Sequence, residues 1–156
     1  MKFIVLLRHG IAEDKSPEKS DAERQLTDEG RRKMKEIARS LARIFPEAEA
    51  IYSSPLVRAM QTAEPVAKEY KLSIEQTPAL TPQSTPGDFR KLLGEISVDF
   101  AIFVGHEPNL STIMLDLTKM RGNIELKKGG CYGIDFEGSP KLAWMLSPRV
   151  LRTTSS

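Results

Sequence analysis

Apolar residues in this chain fall into short solid runs separated by stretches with one-sided spacing. That is the pattern of buried strands alternating with amphipathic helices. Residues 2–8 (KFIVLLR) and 100–104 (FAIFV) are the densest runs, and each predicts a strand covered on both faces. Between residues 9 and 26 the chain is polar and aperiodic, which predicts a loop long enough to carry function. From there Met34, Ile37, Ala38, Leu41 and Phe45 recur on one helical face. Thr27 is placed to cap that helix, Asp28 and Glu29 lie in its first turn, and Pro46 ends it. Residues 50–53 predict a second strand. Ser54-Pro55 then reads as the cap and first residue of a helix whose inward stripe is Ala59, Ala63, Val66, Ala67 and Tyr70. Pro65 should kink that helix.

Residues 73–77 predict a third strand, and Pro82 and Pro86 mark 81–87 as loop before a short helix over 88–96. Pro108 opens a helix whose apolar face is Leu110, Ile113, Met114 and Leu117. Near the end, Gly129-Gly130 leads into residues 131–136, Gly138-Ser139-Pro140 makes a turn, and 142–146 pairs back as an antiparallel hairpin. No repeat, low-complexity tract or linker interrupts this order. The expected architecture is therefore one α/β domain over residues 1–156. It is a three-layer α/β/α sandwich with a mixed, mostly parallel central sheet and a C-terminal antiparallel hairpin.

Composition narrows the function. The 156 residues are 40% hydrophobic, enough for one core. Lys and Arg number 23 against 21 Asp and Glu, a net +2, which argues against a nucleic-acid binder but leaves room for a local phosphate pocket. Cys131 is the sole cysteine, so neither an internal disulfide nor a thiolate zinc site can form. The longest apolar run, residues 3–7, is too short for a membrane span or a signal-peptide core. A cytoplasmic protein with no membrane partner is expected. It should be a monomer, since no helix shows a second apolar face.

Both histidines directly follow the two densest strands, and Ser54 and Arg58 follow the run at 50–53. Ligands of open α/β sheets bind at the carboxyl ends of strands, so neighbouring strands would gather His9, Arg8, Arg58 and His106 in one crevice. Imidazoles among guanidiniums make an anion site: the arginines repel a metal cation, and only Glu107 offers a carboxylate beside either histidine. The anion best matched to bidentate donors is a phosphoryl group. A neutral imidazole can attack phosphorus in line while the other cations offset charge on the equatorial oxygens. Taken singly, each residue has a plainer role. His9 could be a hydrogen-bonded loop histidine, His106 a helix-cap neighbour, Ser54 a cap, Cys131 and Trp144 core, and the charges at 13–24 a solvated face.

For His9, four blocks in order reverse that plainer reading: Leu7-Arg8-His9-Gly10, Leu26-Thr27-Asp28-Glu29-Gly30, Ser53-Ser54-Pro55-Leu56-Val57-Arg58-Ala59-Met60-Gln61-Thr62-Ala63, and Val104-Gly105-His106. Together they resemble the histidine phosphatase (phosphoglycerate-mutase-like) superfamily. The short chain and its ending Met145-Leu146-Ser147-Pro148 resemble the small SixA-type phosphohistidine phosphatases most. The resemblance implies His9 as the phosphate-accepting nucleophile, with Arg8, Arg58 and His106 completing the pocket and no cofactor or metal. It also implies that Arg24 reaches the phosphate; from the charged run at 13–24, Asp21 is a further substrate-binding candidate.

One departure bears on the substrate. Larger members carry a catalytic glutamate in an inserted segment after the arginine-bearing helix. The matching stretch here, residues 79–88, is short and has no glutamate. An alkoxide needs a proton as it leaves, whereas an imidazole protonated on its other nitrogen leaves neutral. A phosphohistidine on a partner protein is therefore the expected substrate. Asp21, Glu13 and Asp88 remain possible proton donors. The alternatives are a small-molecule phosphomonoesterase or phosphoanhydride hydrolase on the same scaffold, and a non-catalytic phospho-ligand-binding module.

Overall fold

The computed structural model describes residues 1–155. One six-stranded sheet runs through the molecule in the order β3-β2-β4-β1-β5-β6. Its strands are β1 (Phe3–Arg8), β2 (Ala50–Ser53), β3 (Ile74–Gln76), β4 (Phe100–Gly105), β5 (Cys131–Asp135) and β6 (Lys141–Leu146). The first four are mutually parallel where they pair, and β5 and β6 are antiparallel. The two densest apolar runs are the central pair: β1 lies beside β4 with Arg8 opposite Gly105.

Alternation along β1 divides the core. Val5 and Leu7 belong to an apolar cluster with Met34, Ile37, Ala38 and Leu41 of α1 (Asp28–Ile44), Ala59, Ala63 and Val66 of α2 (Val57–Tyr70), and Leu151 of α5 (Pro148–Thr153). Ile4 and Leu6 belong to a second cluster with Phe89 of α3 (Pro86–Glu95) and Leu110, Ile113 and Met114 of α4 (Asn109–Thr118). The sheet is thus covered on both faces, giving the three layers predicted. Each fully buried Leu or Ile stabilises the sandwich by about 1.5–3 kcal/mol. Trp144 packs as predicted, stacked on Phe45 with ring centroids 4.7 Å apart. None of the helices among the described residues is long and apolar enough to cross a membrane.

Thr27 caps α1 by accepting the Gly30 N–H. The start of α2 differs from expectation. The chain at Ser54 still follows the sheet, its N–H donating to Val104 O at 3.0 Å, so the helix begins only at Val57 with Leu56 in the cap position. Ser54 is not the cap. Pro65 removes one rung, yet α2 continues to Tyr70 with Ala59, Ala63 and Val66 buried. Three further elements had weak sequence signals: single 3-10 turns at Asp21–Glu23 and Pro78–Leu80, and α5, capped by Ser147. α3 starts at Pro86 rather than 88, because Thr85 and Asp88 close a reciprocal capping box around that turn.

Candidate active site

The carboxyl ends of β1, β4 and β2 lie side by side, and their following residues converge. His9 N–H donates to Gly105 O at 3.0 Å, which ties the residue after β1 to the end of β4. The imidazoles of His9 and His106 lie 5.3 Å apart, centroid to centroid. From α2, Thr62 accepts the Gly10 N–H at 3.0 Å and donates to Arg58 O at 2.8 Å, so one hydroxyl links the His9 loop to the Arg58 turn.

His9 Nδ1 is 2.7 Å from Gly10 O. A carbonyl only accepts, so Nδ1 carries the proton and Nε2 keeps its lone pair. His9 as a residue keeps 6% of its surface exposed. Burial, with Arg58, Arg8 and Lys128 adding repulsion against the Gly10 bond, brings its pKa down to about 4. His106, 2% exposed, is held down to about 3 by burial first and then by His9 and Arg58. Both rings are neutral at physiological pH.

Arg58 is 4% exposed, and its charge is held by Asp21: Nη1 donates to the main-chain oxygen at 2.7 Å and Nη2 to Oδ2 at 3.1 Å. Arg24 donates from Nε to the other carboxylate oxygen at 2.9 Å and from Nη1 to Glu13 O at 2.6 Å. Burial works against the Asp21 charge, but the two arginines outweigh it and hold the carboxyl below its ordinary range. Arg8 donates from Nη1 to Leu126 O at 2.5 Å, and Glu125 lies 3.4 Å away as an exposed partner. Glu107 fixes that loop, its carboxylate accepting the Leu126 N–H at 2.7 Å and the Ser111 N–H at 2.8 Å. It therefore serves as a clamp on the scaffold that holds Arg8.

Among the described residues, the buried side-chain nitrogens without a hydrogen-bond partner are Arg8 Nε, Arg58 Nε and His106 Nδ1. Buried polar nitrogens are nearly always satisfied, so three without a partner on the residues gathered here set this corner of the molecule apart from the rest of the interior. The structure brings together His9, Arg8, Arg58 and His106, and it links Arg24 to them through Asp21.

Sequence reasoning missed three contributors. Lys128 is exposed yet close enough to His9 to act on its charge, because Gly129 N–H binds both Arg8 O and His9 O. Its signal was topological: β5 runs antiparallel to β1 and so starts where β1 ends. Thr62 and Ser54 lay inside a recognised block but gave no sign of what they touch. Among the described residues, no group of three or more His, Cys, Asp or Glu side chains is placed to hold a metal.

Residues 4–86 match the sequence family described as the histidine phosphatase superfamily, branch 1. The chain belongs to that superfamily. An uncharacterized protein of Picosynechococcus is 32% identical over 137 residues, covering 84% of this chain and 83% of the relative. The structure of the protein histidine phosphatase SixA complexed with tungstate superposes with a TM-score of 0.83 at 26% identity, covering 96% of this chain and 99% of that one. A phosphoserine phosphatase of Entamoeba histolytica shares the fold at TM-score 0.76 and 18% identity, with 96% and 98% covered. Superfamily membership and the SixA likeness support a phosphatase function.

Proposed function

We propose that residues 1–156 form a single phosphatase domain in which His9 is transiently phosphorylated, and that its substrate is a phosphohistidine on a partner protein. The observation that carries the reading is the His9 Nδ1 bond to Gly10 O, which leaves Nε2 unprotonated beside Arg8, Arg58 and His106. In the first step the Nε2 lone pair attacks phosphorus and the bond from phosphorus to the leaving group breaks. In the second, water attacks the phosphorus of phospho-His9, releasing phosphate and restoring the neutral ring. Arg8 Nε, Arg58 Nε and the His106 Nδ1–H would receive the equatorial oxygens, where charge is greatest. Tungstate in the similar SixA structure is an oxyanion of the kind such a cradle suits.

The carboxylates favour a nitrogen leaving group. A proton donor must hold its proton near neutral pH, but the three acidic candidates are all shifted the other way. Glu13 is lowered by the Gln25 N–H and Lys19, Asp88 by Thr85, and Asp21 by Arg58 and Arg24 against its burial. None is poised to protonate an alkoxide, whereas an imidazole leaving group needs no such donor. A substrate panel tests this: a phosphohistidine protein, phosphoserine, sugar phosphates and nucleotides, with wild type and His9→Ala compared. Phosphohistidine should turn over fastest. Faster ester hydrolysis would overturn the choice of substrate in favour of a small-molecule phosphomonoesterase.

A further inference from the structure

Ser54 is fully buried at the end of β2, and its hydroxyl oxygen lies 2.8 Å from His106 Nε2. The same oxygen accepts the Leu56 N–H at 3.3 Å. We propose that Ser54 is a positioning residue that sets the tautomer of His106, donating its hydroxyl proton to Nε2 so that the ring's own proton stays on Nδ1. This rests on the phosphatase reading above, and it assigns Ser54 a function within that same site.

Donor counting decides the direction. Burial next to His9, Arg58 and Arg24, with Asp21 alone opposing, keeps the His106 ring neutral, so it holds one proton. With that proton on Nδ1, the Ser54 hydroxyl has an acceptor at Nε2, and Nδ1–H is the one group of this pair left without a partner. With it on Nε2, the ring would donate to Ser54 Oγ. The serine proton would then have no acceptor, and Nδ1 would be orphaned as well. One unmet group costs less than two, which places the proton on Nδ1. A phosphoryl oxygen then meets donors from Arg8, Arg58 and His106 alike. Had the lone pair faced inward instead, it would repel that oxygen.

Ser54 is set there by the sheet. Its N–H donates to Val104 O, so β2 carries it alongside the strand that delivers His106 two residues later. For that reason α2 starts at Val57 and Ser54 stays in register with β4.

The chain has two histidines, so a histidine-selective nitrogen NMR spectrum at neutral pH contains just two imidazoles. Wild type should show both rings protonated on Nδ1, one held by Gly10 and the other by Ser54. A His106 ring protonated on Nε2 in wild type would overturn the proposal without any variant being made. In Ser54→Ala, the His106 signals should move toward the other tautomer or a mixture, and kcat should fall about tenfold with little change in KM. Ser54→Thr, which keeps the hydroxyl, should restore the wild-type tautomer. An unchanged His106 spectrum in Ser54→Ala would also refute the assignment. Trapping the phospho-His9 adduct in the same samples separates the two ideas: its absence from wild type would sink the nucleophile reading while leaving the tautomer result standing.

Discussion

Asp21 holds Arg58 by two bonds, from Nη1 to its main-chain oxygen at 2.7 Å and from Nη2 to Oδ2 at 3.1 Å. Oδ1 of the same carboxylate receives Arg24. A guanidinium 4% exposed is costly to bury without acceptors, so the Asp21 oxygens of the aperiodic loop at 9–26 make a buried cation tolerable beside two histidines. On the proposed function, Asp21 is also the counter-charge that a substrate phosphate would have to compete with.

Removing that charge should therefore have two effects. Asp21→Asn is expected to lower stability by about 1–3 kcal/mol, less than for a fully buried pair because the carboxylate is half-exposed. The variant should bind vanadate or inorganic phosphate severalfold more tightly, since two arginines lose their internal anion. Urea unfolding and inhibition constants measure each effect. Weaker oxyanion binding would show that the carboxylate aligns the arginines more than it competes with the ligand.

His9→Ala should abolish the acid-labile phosphoprotein and lower turnover by about a thousandfold or more, because it removes the attacking atom and leaves the cradle in place. Rapid acid quench with labelled substrate reads both at once. A variant that still turns over normally would end the covalent mechanism.

Burial moves the acid limb of the rate profile below that of an ordinary histidine. With His9 brought down to about 4, kcat/KM should stay level from pH 7 to about 5, then fall tenfold per unit below about 4 as Nε2 takes a proton. A midpoint near 6.5 would mean that the ring is solvated in solution.

The same shift makes the fold acid-sensitive. Unfolded histidine titrates near 6.5 while both rings stay neutral in the fold, so the unfolded chain binds more protons between pH 6.5 and the folded values. Stability is lost as pH falls through that window, by about 3 kcal/mol for His9 at pH 4. His9→Asn should therefore gain about 2 kcal/mol relative to wild type between pH 7 and 4.5 in urea titrations. A constant difference would refute the buried neutral ring.

Gly30 packs its bare Cα against the backbone of Ile11: an added Cβ would sit 2.1 Å from the Ile11 carbonyl oxygen. Neither α1 nor the loop two residues beyond His9 can absorb that contact cheaply. Gly30→Ala should cost about 1–3 kcal/mol and lower kcat by displacing His9. Thermal unfolding with an activity assay would show it, and an unperturbed enzyme would mean that the loop moves independently of the nucleophile.

Much of the site could be read from the residues themselves. Strand-dense runs ended at His9 and His106, Arg8 and Arg58 lay at the ends of neighbouring strands, and the ordered blocks named the superfamily. Periodicity also placed the strands and α1, because burial on one face or two leaves a direct imprint on side-chain choice. What the sequence could not hold is which polar atom meets which. Ser54 had the local marks of a helix cap, yet hydrogen bonding to β4 carried it past that role and against His106. Asp21 lay in a run of charges without period, and its pairing with Arg58 closes across 37 positions. Lys128 stands near His9 only because the antiparallel strand enters where β1 leaves. Apolar patterning is local and survives in the one-dimensional order. Hydrogen-bond pairing and charge balance depend on distances between segments far apart in the chain, and these exist only once the sheet has set its strand order and register.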